Sequence, residues 1–123
     1  MIDHKVWTER TRLLLGDERV EELRACHVLL VGLGGVGGMA AEMLVRGGIG
    51  RMTIVDADII QPSNINRQIV ATQSHLGEAK AFVLAERLRD INPELELEVI
   101  QEFLRDDSMV ELLARHPYDF VVD

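Results

Sequence analysis

Apolar and polar positions follow two rhythms along this chain. Near-continuous apolar runs fill His27 to Val31, Arg51 to Val55 and Phe120 to Val122, as in strands buried on both faces. Leu95 to Ile100 alternates instead, Leu95, Leu97 and Val99 against Glu94, Glu96 and Glu98, as a half-exposed strand does. Between these runs the spacing turns helical. Gly35 to Arg46 reads as a crossover helix, stopped by Gly47, Gly48 and Gly50. Leu76 to Ile91 gives the strongest helical pattern, with Ala81, Leu84, Ala85, Leu88 and Ile91 on one face and Asn92–Pro93 as its stop. Asp106 to Arg115 reads as a last helix. Two short helices precede the first strand, Thr8 to Leu15 with Thr8 as N-cap, and Asp17 to Arg24. The polar stretch Ala57 to Gln73 reads as loop.

Strands alternating with helices predict an α/β fold. It is a Rossmann-like parallel sheet with helices on both faces and right-handed crossovers. Residues 1–24 form the N-terminal helical segment and 25–123 the nucleotide-binding domain. The last apolar run ends at Asp123, at the carboxyl end of a strand, where open α/β sheets bind their ligands. The sequence therefore predicts a piece of a longer protein, with this domain truncated at its C-terminal end.

The joint between the first strand and its helix carries the chemistry. Gly32, Gly34 and Gly37 stand at G-x-G-x-x-G spacing directly after four apolar residues and directly before a helix. The first glycine permits a tight turn and the second lets a phosphate approach the backbone. The third lets helix and strand pack closely, while free N–H groups at the helix start face the anion. Asp56, about 20 residues on, stands where a ribose-binding acid belongs. An NAD site asks for little more. This chain adds Asp58, the run Ser63–Asn64–Ile65–Asn66–Arg67–Gln68, and Lys80 behind Gly77–Glu78–Ala79. A second acid and two cations suit a triphosphate with Mg²⁺, whose charge they offset as pyrophosphate leaves. The plainer readings are a surface role for Lys80, a loop brace for Arg67, a loop acid for Asp58 and a fraying terminus for Asp123.

Composition removes several other classes. Hydrophobic residues make up 47% and charged residues 28% of 123 residues, ordinary for one globular domain. No apolar run is long enough to span a bilayer and no signal peptide is visible, so no membrane role is expected. Cys26 is the single cysteine and has no internal partner, which makes the cytoplasm the expected compartment; it reads as a packing residue. His27, His75 and His116 lack metal-ligand spacing. A net charge of −8 argues against this segment gripping nucleic acid directly.

In order and spacing, Gly32–Leu33–Gly34–Gly35–Val36–Gly37, Asp56–Ala57–Asp58, Ser63 to Gln68, Gly77 to Lys80 and Ile91–Asn92–Pro93 resemble the HesA/MoeB/ThiF family, bacterial relatives of ubiquitin-activating enzymes. The resemblance covers Arg10 to Asp123. Within the family, Arg10–Thr11–Arg12–Leu13–Leu14–Leu15–Gly16 and Asn64–Ile65–Asn66–Arg67–Gln68 are most similar to the tRNA threonylcarbamoyladenosine dehydratase branch. It implies ATP-dependent adenylylation of a carboxylate, there the threonyl carboxyl of a modified tRNA adenosine, followed by cyclisation with loss of water and AMP. It further implies that Gly34 and Gly35 meet the phosphates, that Asp56 holds the ribose, and that Asp58 and Asp123 serve Mg²⁺ and the adenylate. Asn64, Arg67 and Lys80 would contact the phosphates, with Arg67, Lys80 and Asp123 catalytic. A homodimer is implied, with an N-terminal arginine reaching the partner's site; Arg10 and Arg12 both remain open, Arg12 being counted with the nucleotide-binding set.

Since the chain is acidic, tRNA binding is expected from residues outside this segment. The same chemistry on the C-terminal glycine of a ubiquitin-like sulfur-carrier protein is the alternative. An NAD(P)-dependent oxidoreductase half-domain is remoter, because it leaves Arg67, Lys80 and Asp58 unexplained. A nucleotide-sensing module without catalysis is a third class.

Overall fold

The computed structural model describes residues 1–123. The order is α1 (His4–Trp7), α2 (Glu9–Leu15), α3 (Asp17–Ala25), β1 (His27–Val31), α4 (Gly35–Arg46), β2 (Arg51–Val55), α5 (Lys80–Ile91), β3 (Glu96–Ile100), α6 (Asp106–Arg115) and β4 (Phe120–Val122). The four strands form one parallel sheet in the order β3-β2-β1-β4. Leu30 pairs with Ile54 and with Val122, so the carboxyl ends of β1, β2 and β4 lie together.

One face of the sheet carries Val28, Leu30, Met52 and Ile54 and packs under α4 and α5 through Ala41, Val45, Ala81, Leu84, Ala85 and Leu88, all buried. The other face has a smaller core, Leu29 and Val55 against Leu112 of α6. Helices therefore cover both faces, as the alternation of elements requires. Glu42, buried on α4, is held by Arg87 of α5, which ties the two helices of the larger layer together.

At the amino ends of the strands the second face turns polar, and its groups pair with one another. His27 Nε2 lies 2.8 Å from Thr53 Oγ1, which in turn donates to Glu98 Oε1 at 3.2 Å. His27 is thus the donor to the threonine. Arg115 Nη1 donates to Glu98 Oε2, and Tyr118 Oη donates to the carbonyl of Leu112. Asp119 accepts from the His27 backbone N–H at 2.7 Å. Burial, with help from the Arg51 and His116 charges, holds the His27 imidazole below its ordinary pKa.

Several boundaries differ from the sequence expectation, each for a physical reason. The helix expected from Leu76 starts at Lys80. Leu76 and Gly77 form a turn, with Gly77 at φ +83°, and Ala79 bridges antiparallel to Ile59, so the helix starts only after this bridge. The stretch 57–73 is not featureless: it contains a 3-10 turn over Pro62–Asn64, and Ile60 N–H donates to the carbonyl of Glu78. A short helix His4–Trp7 precedes Thr8, with Asp3 as its cap, accepting from Lys5 N–H. Thr8 does not cap α2. Its hydroxyl donates back to the carbonyl of His4. Leu95 is buried just ahead of β3 rather than within it.

Candidate active site

The glycine turn closes β1 onto α4 at the carboxyl edge of the sheet. Gly32 has φ +88°, a conformation that only glycine adopts cheaply, and its N–H donates to Val55 at the end of β2. A β-carbon on Gly37 would stand 1.8 Å from the Gly32 carbonyl oxygen, so the start of α4 rests directly on the turn. Gly34, the N-cap, is extended and receives no side-chain cap. The first N–H groups of α4 therefore lack an internal acceptor, as at any helix start.

Asp56 holds this turn to the end of β2. Its Oδ2 accepts from Leu33 N–H at 2.7 Å and its Oδ1 from Asp58 N–H at 2.7 Å. Each carboxylate oxygen keeps a further lone pair. The acid expected to hold a ribose thus also fixes the cradle's backbone.

Asp58 and Lys80 meet across the extended segment. Lys80 N–H donates to the carbonyl of Asp58, and Lys80 Nζ lies 3.9 Å from Asp58 Oδ2. The lysine side chain is only 7% exposed, which rules out the surface reading, whereas Asp58 is exposed. Together with Ala57, Ile59, Gln61 and Asn64 they line a cavity of about 370 Å³. Asn64 is buried, and its Oδ1 accepts from Gln61 N–H, bracing the 3-10 turn.

Arg67 is exposed, and its Nη1 donates to the Ser63 carbonyl and to Asn66 Oδ1, both at 2.9 Å. It braces the loop, as the plainer reading has it. Its Cγ would lie 3.8 Å from a β-carbon on Gly35, so the residue also stands beside the turn. Asp123 follows Val122, the partner of Leu30, at the same sheet end as the cradle, and is exposed.

Arg12 is placed elsewhere. Its guanidinium donates to Thr8 Oγ1, Asp17 and Glu21 and lies 3.1 Å from His4 Nδ1, with the side chain 8% exposed. It locks the N-terminal helices together and holds the Glu21 carboxyl below its ordinary pKa. The structure thus does not bring Arg12 to the glycine turn. Arg10 on the same helix is exposed and makes no ion pair.

Sequence reasoning gave no role to Gln68, which is buried with its carboxamide against Gly34. Its place beside Arg67 was visible, but burial is a property of the folded loop. The structure holds no ready cluster of three or more metal-ligating side chains. No helix is long and apolar enough to cross a membrane.

A parallel α/β sheet with a glycine cradle, a buried lysine and two acids at its carboxyl edge defines a nucleotide-binding fold, and the ThiF family model matches residues 8–123. The chain belongs to the ThiF family. It is 40% identical over 120 residues to the tRNA threonylcarbamoyladenosine dehydratase of Escherichia coli (strain K12), covering 95% of this chain and 44% of that protein. It is 38% identical over 109 residues to the sulfur carrier protein adenylyltransferase of Thermus thermophilus, covering 89% of this chain and 40% of that protein. The E. coli dehydratase in complex with ATP superposes with a TM-score of 0.89 at 38% identity, covering 98% of this chain and 51% of that chain. The same enzyme with AMP gives 0.90, with 98% and 50% covered. The Rossmann-like fold follows from these matches. The chain spans about half the length of the relatives it matches.

Proposed function

We propose that this chain binds ATP at the carboxyl edge of the sheet and takes part in adenylylating a carboxylate, most simply the threonyl carboxyl of tRNA threonylcarbamoyladenosine. The observation that carries this reading is the buried Lys80 ammonium beside Asp58, whose backbone is tied to the glycine turn through the Asp56 carboxylate. An NAD site gives that pair no work. The substrate follows from the dehydratase relatives, whose name states it.

In this reading a carboxylate oxygen attacks the α-phosphorus. The bond from that phosphorus to the bridging oxygen of the β-phosphate breaks, and pyrophosphate leaves with the electron pair. Lys80 offsets the charge that builds on the phosphoryl oxygens, in a site where little water screens it. Arg67 swings from its loop carbonyl to the phosphates, and Asn64 keeps the 3-10 turn in shape. Asp56 offers its remaining lone pairs to the ribose hydroxyls while holding Leu33. The activated acyl group then cyclises and releases AMP, so that the modified adenosine loses one water overall.

Asp58 and Asp123, exposed carboxylates at one sheet end, fit a Mg²⁺ shared with substrate phosphates, because magnesium sites commonly use one or two carboxylates and no protein cage. When bound, the ion supplies charge neutralisation of the polyphosphate. Arg10, exposed and unpaired, is the better candidate than Arg12 for reaching a partner subunit. Homodimer formation is consistent with the exposed stripe Val36, Met39 and Met43 on α4 and with exposed Leu13 and Leu14 on α2.

The second reading keeps the chemistry and changes the acid to the C-terminal glycine of a sulfur-carrier protein. The 38% match to a sulfur carrier protein adenylyltransferase and the net charge of −8 favour it. Pyrophosphate exchange distinguishes the two. Stimulation by tRNA carrying threonylcarbamoyladenosine supports the first, and stimulation by a carrier protein ending in two glycines supports the second. Exchange with neither argues against both.

A further inference from the structure

Among the buried residues of this chain Glu42 is the only carboxylate and Lys80 the only ammonium. Each stands on one of the two helices that begin at the carboxyl edge of the sheet, α4 behind the glycine turn and α5 behind the Asp58 segment. Each helix leads back to the start of a parallel strand, so the two run in the same direction. Glu42 is 3% exposed and has two cationic partners. Arg87 Nε of α5 donates to its Oε1, and Arg46 Nη2 of its own helix lies 3.6 Å from the same oxygen. Both arginines are half exposed, so the carboxylate is the member that gives up its water.

The spacing on the two helices is the same. Gly35, first residue of α4, stands seven residues before Glu42, and Lys80, first residue of α5, stands seven before Arg87. Seven residues make close to two turns, so each pair shares one face of its helix, about 10 Å apart along the axis. The Glu42–Arg87 contact is thus a rung between two helices whose starts are Gly35 of the turn and Lys80. The apolar side chains that α4 and α5 lay on the sheet form no directional bond. A buried ion pair adds little net stability over apolar residues of the same volume, because desolvation offsets its attraction; its best-attested use is to fix register.

We propose that Glu42 and Arg87 are a positioning clamp: they set the register of α5 against α4 and so hold the Lys80 ammonium at its place relative to the glycine turn. The inference rests on the ATP reading above. Neither residue touches nucleotide; both act through Lys80, two turns away.

The test replaces the pair by Glu42→Met with Arg87→Met, in the wild-type protein and in Lys80→Met. Thermal unfolding and titrations with ATP and with adenosine are measured for each. The paired substitution should unfold at the same or a higher Tm, because apolar side chains of similar length take the place of the ions. It should bind ATP about tenfold or more weakly and adenosine unchanged. In the Lys80→Met background it should alter ATP affinity by no more than about twofold, since the group it positions is gone. Glu42→Gln, a milder variant, keeps an acceptor for Arg87 and should show the same selectivity at smaller size, about threefold for ATP and none for adenosine. Unchanged ATP affinity in the folded variants overturns the proposal. So does equal weakening of ATP and adenosine, or a loss that adds in full to that of Lys80→Met, because either marks a general effect on the fold. Failure of both variants to fold overturns it too, since the pair would then hold the structure and not only its register. A wild-type protein that does not bind ATP overturns the nucleotide reading itself, a result separate from any difference between variants.

Discussion

Two polar regions lie at opposite ends of one four-stranded sheet, and they are built differently. At the amino ends, His27, Thr53, Glu98 and Arg115 are joined by hydrogen bonds, while Asp119 accepts from the His27 backbone N–H and Tyr118 donates to the Leu112 carbonyl. At the carboxyl ends, Gly34 is an uncapped helix start, and the buried Lys80 ammonium reaches its nearest carboxylate only at 3.9 Å. A polar cluster that completes itself stabilises the fold. One left incomplete beside a glycine turn is shaped for a charged ligand. The contrast separates the two ends: the amino end holds α6 to the sheet, and the carboxyl end is the proposed nucleotide site.

The largest effect that would sharpen this contrast lies within the glycine turn. Gly37→Val drives a side chain into the Gly32 carbonyl and should cost about 3 kcal/mol or more, read by denaturant unfolding. Gly34→Val meets only the Gln68 amide at ordinary contact distance, so the protein should fold and lose ATP binding. If both variants fold and bind ATP, the cradle assignment is wrong.

Lys80→Met comes next. It should lower ATP–pyrophosphate exchange by about 100-fold while leaving unfolding stability nearly unchanged, since the methionine fills the same buried space. Retained exchange would remove Lys80 from the chemistry. Thr53→Val then probes the other end of the sheet. It leaves the His27 Nε2–H without an acceptor and should cost about 1–3 kcal/mol of stability with ATP affinity unaltered. Weakened ATP binding in a folded Thr53→Val protein would erase the distinction between the two ends.

The smallest effect is set by pH. Burial holds both His4 and His27 below the ordinary histidine value of about 6.5. The unfolded chain therefore binds more protons than the folded one just below that pH. Their contribution to stability is present above pH ~6.5 and is lost as pH falls towards the lowered folded values. Denaturation midpoints between pH 5 and 8 should decline on the acidic side, and Thr53→Val should alter that decline. A flat profile would mean that neither imidazole is held neutral.

The strands were legible because parallel strands buried on both faces leave near-continuous apolar runs, as in Val28 to Val31. The glycine turn was legible because its spacing follows from local backbone geometry. The start of α5 was not. Leu76 to Ala79 holds Gly77, whose positive φ makes a turn, and the pairing of Gly77, Glu78 and Ala79 with Ile59 and Ile60, which no local pattern shows, delays the helix to Lys80. The resemblance gives Arg10 or Arg12 a place in a partner's site; within one chain Arg12 pairs with Asp17 and Glu21, which come within reach once α2 and α3 fold together. Arg67 carries both readings, loop brace in this structure and proposed phosphate ligand, because its partners are exposed and exchangeable.

The central claim is that the carboxyl edge of the sheet is an ATP site. Calorimetric titration of the protein with ATP and Mg²⁺, and separately with NAD⁺, tests it most directly. The account predicts saturable binding of ATP and none of NAD⁺, with the ATP signal abolished by Gly34→Val. Binding of NAD⁺ in preference to ATP would contradict it and make this edge a dinucleotide site.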